Sequence, residues 1–278
     1  SKVLNAAFTH GSVPPAINVG LVSPVFKRGD PLDTSNYRPI AVTDPLLRLY
    51  AGILNDRLVQ YMESNSLRAE TQAGFRPGLS TCHQLFTLQT LVDDAFASKS
   101  PLYACFLDLK GAYDKVQREL LWQALQKLGI HGTMLGAIQS LYRGSTLTVN
   151  IRGRCGKSEP SKTGLKQGCP LSPTLFGLFA DGLHRFLKLR CPQEGPCLAD
   201  GAKIADLGYA DDFVLLAKSH GSLQMLIDAV VEFCALIGLQ VSVPKTKVLV
   251  FTREPVVSAQ WACLGAQLEV VTEFKYLG

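Results

Sequence analysis

The sequence predicts an α+β fold, with helices packed on an antiparallel or mixed sheet, and two observations point there. Apolar residues make up 47% of the 278, enough to bury a sizeable core in one large domain or two smaller ones. Helix-like and strand-like periods alternate along the chain in a mixed order, with no internal repeat and no low-complexity linker.

Residues 46–62, LLRLYAGILNDRLVQYM, and then Leu85 to Phe96 carry apolar side chains at helical spacing, and the Gly/Pro-rich ETQAGFRPGLST between them reads as a loop. LYACFL, 102–107, is a short unbroken apolar run that stops at Asp108, as a buried strand does. DKVQRELLWQALQKLG reads as a helix with Val116, Leu120, Leu121, Leu125 and Leu128 on one face and Gly129 as its C-terminal stop. A hairpin, LTVNIRG then KSEPSKTG, leads to GLKQGCPLSPTLF, where Ser172-Pro173 opens a long helix. IADLGYADDFVLLAK, 204–218, reads as two apolar strands turning at Asp211-Asp212. A helix from about Ser222 to Ile237, a strand pair GLQVSV and KVLVFT, and a last strand VTEFKYLG complete the expectation.

No stretch of about eighteen apolar residues lacks a charge or a helix breaker, and the start, SKVLNAAFTHGSVPP, lacks the regions of a signal peptide, so neither a membrane nor export is expected. The first residue is Ser and the last run is strand-like, so the chain is expected to be a piece of a longer polypeptide. Eight scattered cysteines without a CxxC pair or zinc spacing read as free thiols. The net charge of +5 is modest but unevenly spread: Lys27, Arg28, Arg38, Arg48, Arg57, Arg68 and Arg76 lie early, and Arg143, Arg152, Arg154, Lys157, Lys162 and Lys166 crowd a later stretch. Such clusters fit either a phosphate-rich partner or a solvated face.

If the strand ending at Asp108 neighbours the hairpin, Asp108, Asp211 and Asp212 converge at one end of a sheet. Two carboxylates about 4 Å apart repel by roughly 4 kcal/mol at an effective dielectric of 20. Either one is protonated or a cation sits between them. Oxygen-only ligands suit Mg²⁺, which completes its shell with water and substrate phosphates, and a pair of such ions serves in-line phosphoryl displacement. An aspartic protease would need Asp-Thr-Gly or Asp-Ser-Gly loops, which are absent.

YADD, 209–212, resembles the catalytic hairpin of reverse transcriptases, and it does not stand alone. FLDLKGAYDKV resembles the first-aspartate motif, GLKQGCPLSPTLF the template and nucleotide segment, GLQVSVPKTKVLVF the lysine-bearing segment and EFKYLG the start of the primer grip. SPVFKRGDPLDTSNYRPIAVTDPLLRLYAGIL and QAGFRPGLST are similar to the fingers of non-LTR (LINE-like) retrotransposon enzymes. The motifs occur in the family's order over nearly the whole chain.

The resemblance implies the right-hand polymerase fold, with fingers and connecting helices over 1–100, a palm over 101–278, an inserted fingers hairpin at about 143–165, and the thumb outside the chain. It implies RNA-directed DNA polymerase activity that extends a primer 3′-hydroxyl with dNTPs. The cofactor would be two Mg²⁺ ions, with Mn²⁺ as a substitute; the partners would be an RNA template and a DNA primer or target, and the location the nucleus.

Asp108 and Asp211 would hold both metals, Asp212 would support them, and the carbonyl of Leu109 would complete a shell. Tyr113 would exclude a 2′-hydroxyl, Arg38 and Lys27 would bind the triphosphate, and Gln167 and Gly168 would meet the sugar and template. Lys245 would protonate the leaving pyrophosphate, with Lys247 as fallback. Arg76 and Pro170 would touch template, and Asp114 would cap the helix that follows it. Two alternatives stay open: a group II intron-type maturase, and a catalytically silent RNA-binding palm.

Overall fold

The computed structural model describes residues 2–198, 201–253 and 260–278. The first half of the chain forms α1 (Lys2–His10), β1 (Val19–Phe26), β2 (Tyr37–Thr43), α2 (Pro45–Ser64), α3 (Thr81–Ala97), β3 (Leu102–Leu107), α4 (Arg118–Lys127) and α5 (Gly132–Ser140). The rest forms β4 (Thr146–Ile151), β5 (Arg154–Pro160), α6 (Ser172–Arg190), β6 (Asp206–Tyr209), β7 (Asp212–Ala217), α7 (His220–Ile237), β8 (Lys247–Phe251), β9 (Ala262–Cys263), β10 (Ala266–Gln267) and β11 (Glu269–Val271). The expected helices and the β4–β5 and β6–β7 hairpins are present; α1, α5, β1, β2, β9 and β10 are additions.

The chain folds as two compact units. One comprises 1–67 and 113–176, the other 68–112 and 177–278. Residues 68–100 join the second unit because α3 packs its apolar stripe on the sheet that contains β3.

The first unit is built on a four-stranded sheet in the order β2-β1-β4-β5, with β1 and β4 parallel and the other pairs antiparallel. α2 begins where Asp44 accepts the Leu46 amide at 2.8 Å with Pro45 at the first helical position, a favourable start for a helix. Its buried stripe of Leu47, Tyr50, Ala51, Leu54, Leu58 and Met62 recurs at helical spacing. Two of the basic residues counted in the sequence are not on a solvated face. Lys166 is buried, with Nζ donating to Asn18 Oδ1 at 2.9 Å and the Leu141 carbonyl at 2.8 Å, and burial pushes its amine down to about 8. In the second unit Arg68 is buried against Asp181 at 2.7 Å.

The second unit is built on a five-stranded sheet in the order β11-β8-β3-β7-β6, antiparallel except for β11 against β8. Its central strand, β3, is covered on both faces, which is why LYACFL reads as an unbroken apolar run. Leu102, Ala104 and Phe106 meet Leu88, Leu91, Val92 and Ala95 of α3, together with Leu207, Val214, Leu216 and Leu249. On the other face Tyr103 meets Trp261 edge-on, and α7 packs across β3 and β7. By length and composition α7 is apolar enough to cross a membrane, but one face is spent on this core through Leu223, Leu226, Ile227 and Val230. It ends at Gly238, with φ of 74°.

Three expectations are corrected. GLQVSV forms no strand with KVLVF; only Val241 makes an isolated bridge, to Leu109. The last strand, β11, ends at Val271, because Phe274 and Tyr276 leave the sheet to pack on Phe106, the first stacked at 4.3 Å and the second tilted at 5.4 Å. α4 starts at Arg118, four residues later than expected, and Asp114 lies in the preceding turns, where it accepts from the Gln167 side chain at 2.9 Å. All eight cysteines are free.

One contact gives the second unit a pH signature. His184 on α6 bonds through Nδ1 to the buried Asp206 at 2.9 Å, and Thr71 Oγ1 donates to the same carboxylate at 3.1 Å. The bond to Asp206 raises the histidine above its ordinary value near 6.5; burial and Lys188 oppose, and the charges of Asp206 and Asp181 assist. The protonated form is therefore favoured by folding. Its stabilisation is complete below about 6.5 and fades as the pH rises through the higher folded-state value. His184→Gln is expected to flatten the decline in urea midpoint between about pH 6 and 8 relative to the unsubstituted chain.

Candidate active site

In the second unit the sheet does what the motif order only suggested. β3 pairs antiparallel with β7 up to Leu107 with Phe213, so the next step of the register brings Asp108 beside Asp212. Tyr209 pairs with Asp212 in the β6–β7 hairpin, leaving Ala210 and Asp211 as a two-residue loop. The two carboxylates thus differ in kind: Asp211 sits in the turn and Asp212 opens the strand. Ala210 has φ of 59° at the first loop position, where glycine is the usual occupant. A side chain in this left-handed region costs about 1–2 kcal/mol.

Asp212 feels the charges of both other carboxylates. Asp212 is raised above the ordinary carboxylate range, first by burial and then by the negative charges of Asp211 and Asp108. The buried Tyr276 hydroxyl is raised too, mainly by burial and then by Asp212. Among the described residues no group of three or more His, Cys, Asp or Glu side chains is arranged so that it could by itself hold a metal ion. An open set of like-charged oxygen donors is nonetheless what a hard divalent cation needs when substrate phosphates and water complete its shell. The donor set fits such an ion.

The loop after α7 is fastened to the end of β3. Ser242 N donates to the Asp108 carbonyl at 2.8 Å and Lys110 N to the Gln240 carbonyl at 2.9 Å. In an antiparallel bridge whose flanking residues carry both bonds, the middle residue's own groups point outward. The Leu109 carbonyl therefore faces away from residues 240–242. The same loop turns at Ser242, which accepts the amides of Lys245 and Thr246 at 3.0 and 2.9 Å, and this sets Lys245 Nζ 3.8 Å from Asp108 Oδ2. With side chains 69% and 39% exposed, the pair is a loose one that contributes little to stability. Lys247 is differently employed: its amine is held by Glu269 and by the Pro244 carbonyl.

The residues expected to meet the nucleotide lie in the first unit. Gln167 accepts the Ala41 amide at 2.7 Å through its backbone and donates to Asp114 through its side chain. Gly168 has φ of 107°, and a Cβ there would lie 2.6 Å from the Ala41 carbonyl, so backbone approach and conformation both demand glycine. Tyr113 stacks on Phe176 with ring centroids 4.4 Å apart. Its carbonyl accepts the Leu165 amide at 2.8 Å, tying the aromatic to the segment that carries Gln167 and Pro170. Arg118 secures the same segment by bonds to Ser161, Thr163 and Gly164. Arg38 is exposed on β2 opposite Val25, and Lys27 N bonds to the Asn36 carbonyl just past the end of the ladder. Continuing that register puts residues 27 and 38 on one side of the ribbon.

Arg76, expected at the template, donates to the carbonyls of Ala69 and Gln72 in its own loop. Two functional candidates escaped the sequence reading: Gln72 and Gln84, buried side chains that bond to the backbone of the carboxylate hairpin. The available signal was a pair of glutamines, one in a Gly/Pro loop and one just before the helix expected from Leu85, which the structure starts at Thr81.

The model of the reverse transcriptase (RNA-dependent DNA polymerase) family matches residues 25–278. The Pol polyprotein of the type-2 retrotransposable element R2DM of Drosophila melanogaster is 26% identical over all of this chain and 26% of its own length. A probable RNA-directed DNA polymerase from transposon BS of the same species is 28% identical over 91% of this chain and 28% of its own. The RNA-directed DNA polymerase from mobile element jockey of Drosophila funebris is 26% identical over 99% and 30%. The chain thus spans between a quarter and a third of the length of these relatives. These names favour neither the intron-type enzyme nor the silent palm.

Among solved structures, an apo telomerase from Candida tropicalis truncated from its C-terminal domain superposes with a TM-score of 0.64 at 17% identity, over 92% of this chain and 54% of that one. A telomerase of the same species in complex with a fragment of telomeric RNA gives 0.63 at 14% identity, over 93% and 44%. That likeness establishes the right-hand polymerase fold, and with a family match reaching from β1 to the last residue, the chain belongs to the reverse transcriptase (RNA-dependent DNA polymerase) family, as a domain of the non-LTR retrotransposon kind.

Proposed function

We propose that the chain carries the nucleotidyl-transfer centre of an RNA-directed DNA polymerase, adding dNTPs to a DNA primer 3′-hydroxyl on an RNA or DNA template in the nucleus. The observation that carries the proposal is the gathering of Asp108, Asp211 and Asp212 at the ends of adjacent strands, with an amine 3.8 Å away. The first unit would supply the fingers and the second the palm.

Asp108, Asp211 and the outward-facing Leu109 carbonyl are the groups to hold two divalent ions, with Asp212 in support. Two Mg²⁺ or Mn²⁺ ions bound there supply activation of the attacking hydroxyl and stabilisation of the leaving oxygen. Lys245 presents Nζ on an exposed side chain 3.8 Å from Asp108, the placement a general acid toward leaving pyrophosphate needs. Lys247 is a poorer candidate because Glu269 and Pro244 hold its amine. Arg38, with Lys27 on the same side of the ribbon, binds triphosphate oxygens; a guanidinium suits them by its paired donors. Tyr113, fixed by its stack on Phe176, blocks a 2′-hydroxyl. Gln167 and Gly168 bring backbone against the sugar and template, and Pro170 and Arg76 meet the template strand.

Primer extension on poly(rA)/oligo(dT) with dTTP and Mg²⁺ tests the reading. The chain is expected to extend the primer and to stop when EDTA removes the metal, and Asp211→Asn is expected to lower the single-turnover rate at least about a hundredfold. Equal extension by Asp211→Asn would sink the mechanism. Tyr113→Val is expected to raise incorporation of rNTPs relative to dNTPs by at least about tenfold; an unchanged ratio removes Tyr113 from sugar selection. Lys245→Ala is expected to slow the chemical step by about a hundredfold, and Lys247→Ala to slow it less. The reverse ranking would transfer the general-acid role.

A further inference from the structure

The carboxylate turn is gripped from outside the sheet by the loop 71–76, and that grip has no role in the reading above. The loop runs parallel to β6: Gly208 N donates to the Thr71 carbonyl and Ala73 N to the Gly208 carbonyl, both at 2.9 Å. Beyond this ladder a side chain takes over. Gln72, 2% exposed, accepts the Ala210 amide through Oε1 at 2.9 Å and donates from Nε2 to the Ala210 carbonyl at 3.2 Å. Its Oε1 also accepts the Gly74 amide at 2.9 Å. One carboxamide thus satisfies both backbone groups of the residue held at positive φ, the residue directly before Asp211.

The surrounding contacts hold the carboxamide in place. Gln84 Nε2 donates to the Thr71 and Gly208 carbonyls at 2.7 and 2.9 Å. Arg76 Nη1 ties Ala69 to Gln72, and Asp181 accepts from Ala69 N at 3.2 Å. Gly74 lies so close that a Cβ there would come within 2.1 Å of Ala210 N, which leaves no room for any other residue. A terminal amide is the right chemistry, since Ala210 offers one donor and one acceptor. A carboxylate of the same length offers only acceptors and a methionine neither.

We propose that Gln72 is a positioning residue: it keeps Ala210 in its left-handed conformation and so fixes where Asp211 presents its carboxylate. The inference deepens the polymerase reading and rests on it for its consequence on rate.

Gln72→Met conserves volume and removes both bonds. It is expected to lower kcat for dTTP addition by about 10–100-fold with KM for dTTP within about threefold. It should also raise the Mg²⁺ concentration needed for half-maximal rate, and speed hydrogen exchange at the Ala210 amide by at least about tenfold. Adding Ala210→Gly should recover part of the lost kcat, because glycine holds a positive φ without help. That rescue is specific to the turn and would not follow from a general loss of packing. Gln72→Glu, which keeps the acceptor for Ala210 N, provides a second variant should Gln72→Met fold poorly, and its Ala210 amide should stay protected while kcat falls.

An unchanged kcat in either active variant, or, in Gln72→Met, a lowered kcat with unaltered exchange at Ala210 and no rescue by Ala210→Gly, overturns the proposal. If the unsubstituted chain does not extend primers at all, the polymerase reading fails. The exchange rate at Ala210 then decides alone whether Gln72 clamps the turn.

Discussion

Like-charge repulsion is the constraint that organises the second unit. Asp108 and Asp211 sit where their charges raise the cost of ionising Asp212, whose carboxyl is pushed up first by burial and then by those two neighbours. Two such charges about 4 Å apart at an effective dielectric near 20 oppose each other by roughly 4 kcal/mol. A free loop would relieve this by moving apart. Here the groups are pinned instead, because β3 is buried on both faces and paired on both edges, and because β7 cannot slip by one residue without turning its apolar side chains to the wrong face. The core beneath the site is thus the reason an unfavourable charge arrangement persists.

The first unit is fastened in a comparable way, through contacts to the backbone rather than between ionised groups. The segment 161–168 is fastened by Arg118, by the Tyr113 carbonyl and by Ala41, so that Gly168 lies almost against another strand. Lys166, in the middle of it, is a buried donor to Asn18 and Leu141. Counting it as a surface cation overstated the basic stretch, and the same holds for Arg68. The cations left exposed for a phosphate-rich partner are fewer than the sequence suggests, and they include Lys27, Arg38 and the β4–β5 residues Arg154 and Lys157.

Much of the centre was legible because it is encoded in local pattern. An apolar run that stops at an acid, and two apolar runs that turn on a pair of acids, are strong statements about strands and their ends. What escaped depended on partners distant in sequence. Asp114 looked like a helix cap because nothing local reveals Gln167, more than fifty residues later, as its partner. VTEFKYLG looked like a strand because its alternation is that of a strand; Phe274 and Tyr276 are drawn off by Phe106. Gln72 and Gln84 were invisible for a different reason: a polar side chain bonded to main chain leaves no periodic trace. Ala210 carries no mark of its positive φ, since the usual signal, a glycine, is absent.

The central position of β3 has a consequence for biosynthesis. Its nearest partner in the chain, β7, follows more than a hundred residues later, and β8 later still. At translation rates of about 5–20 residues per second, a bare apolar strand waits on the order of 5–20 s for its first edge to be covered. α3, made just before it, offers Leu88, Leu91 and Val92 as an interim shelter for one face only. The two unpaired edges are then open to any neighbouring strand. The element that makes the finished site rigid is, during synthesis, the segment most in need of a chaperone.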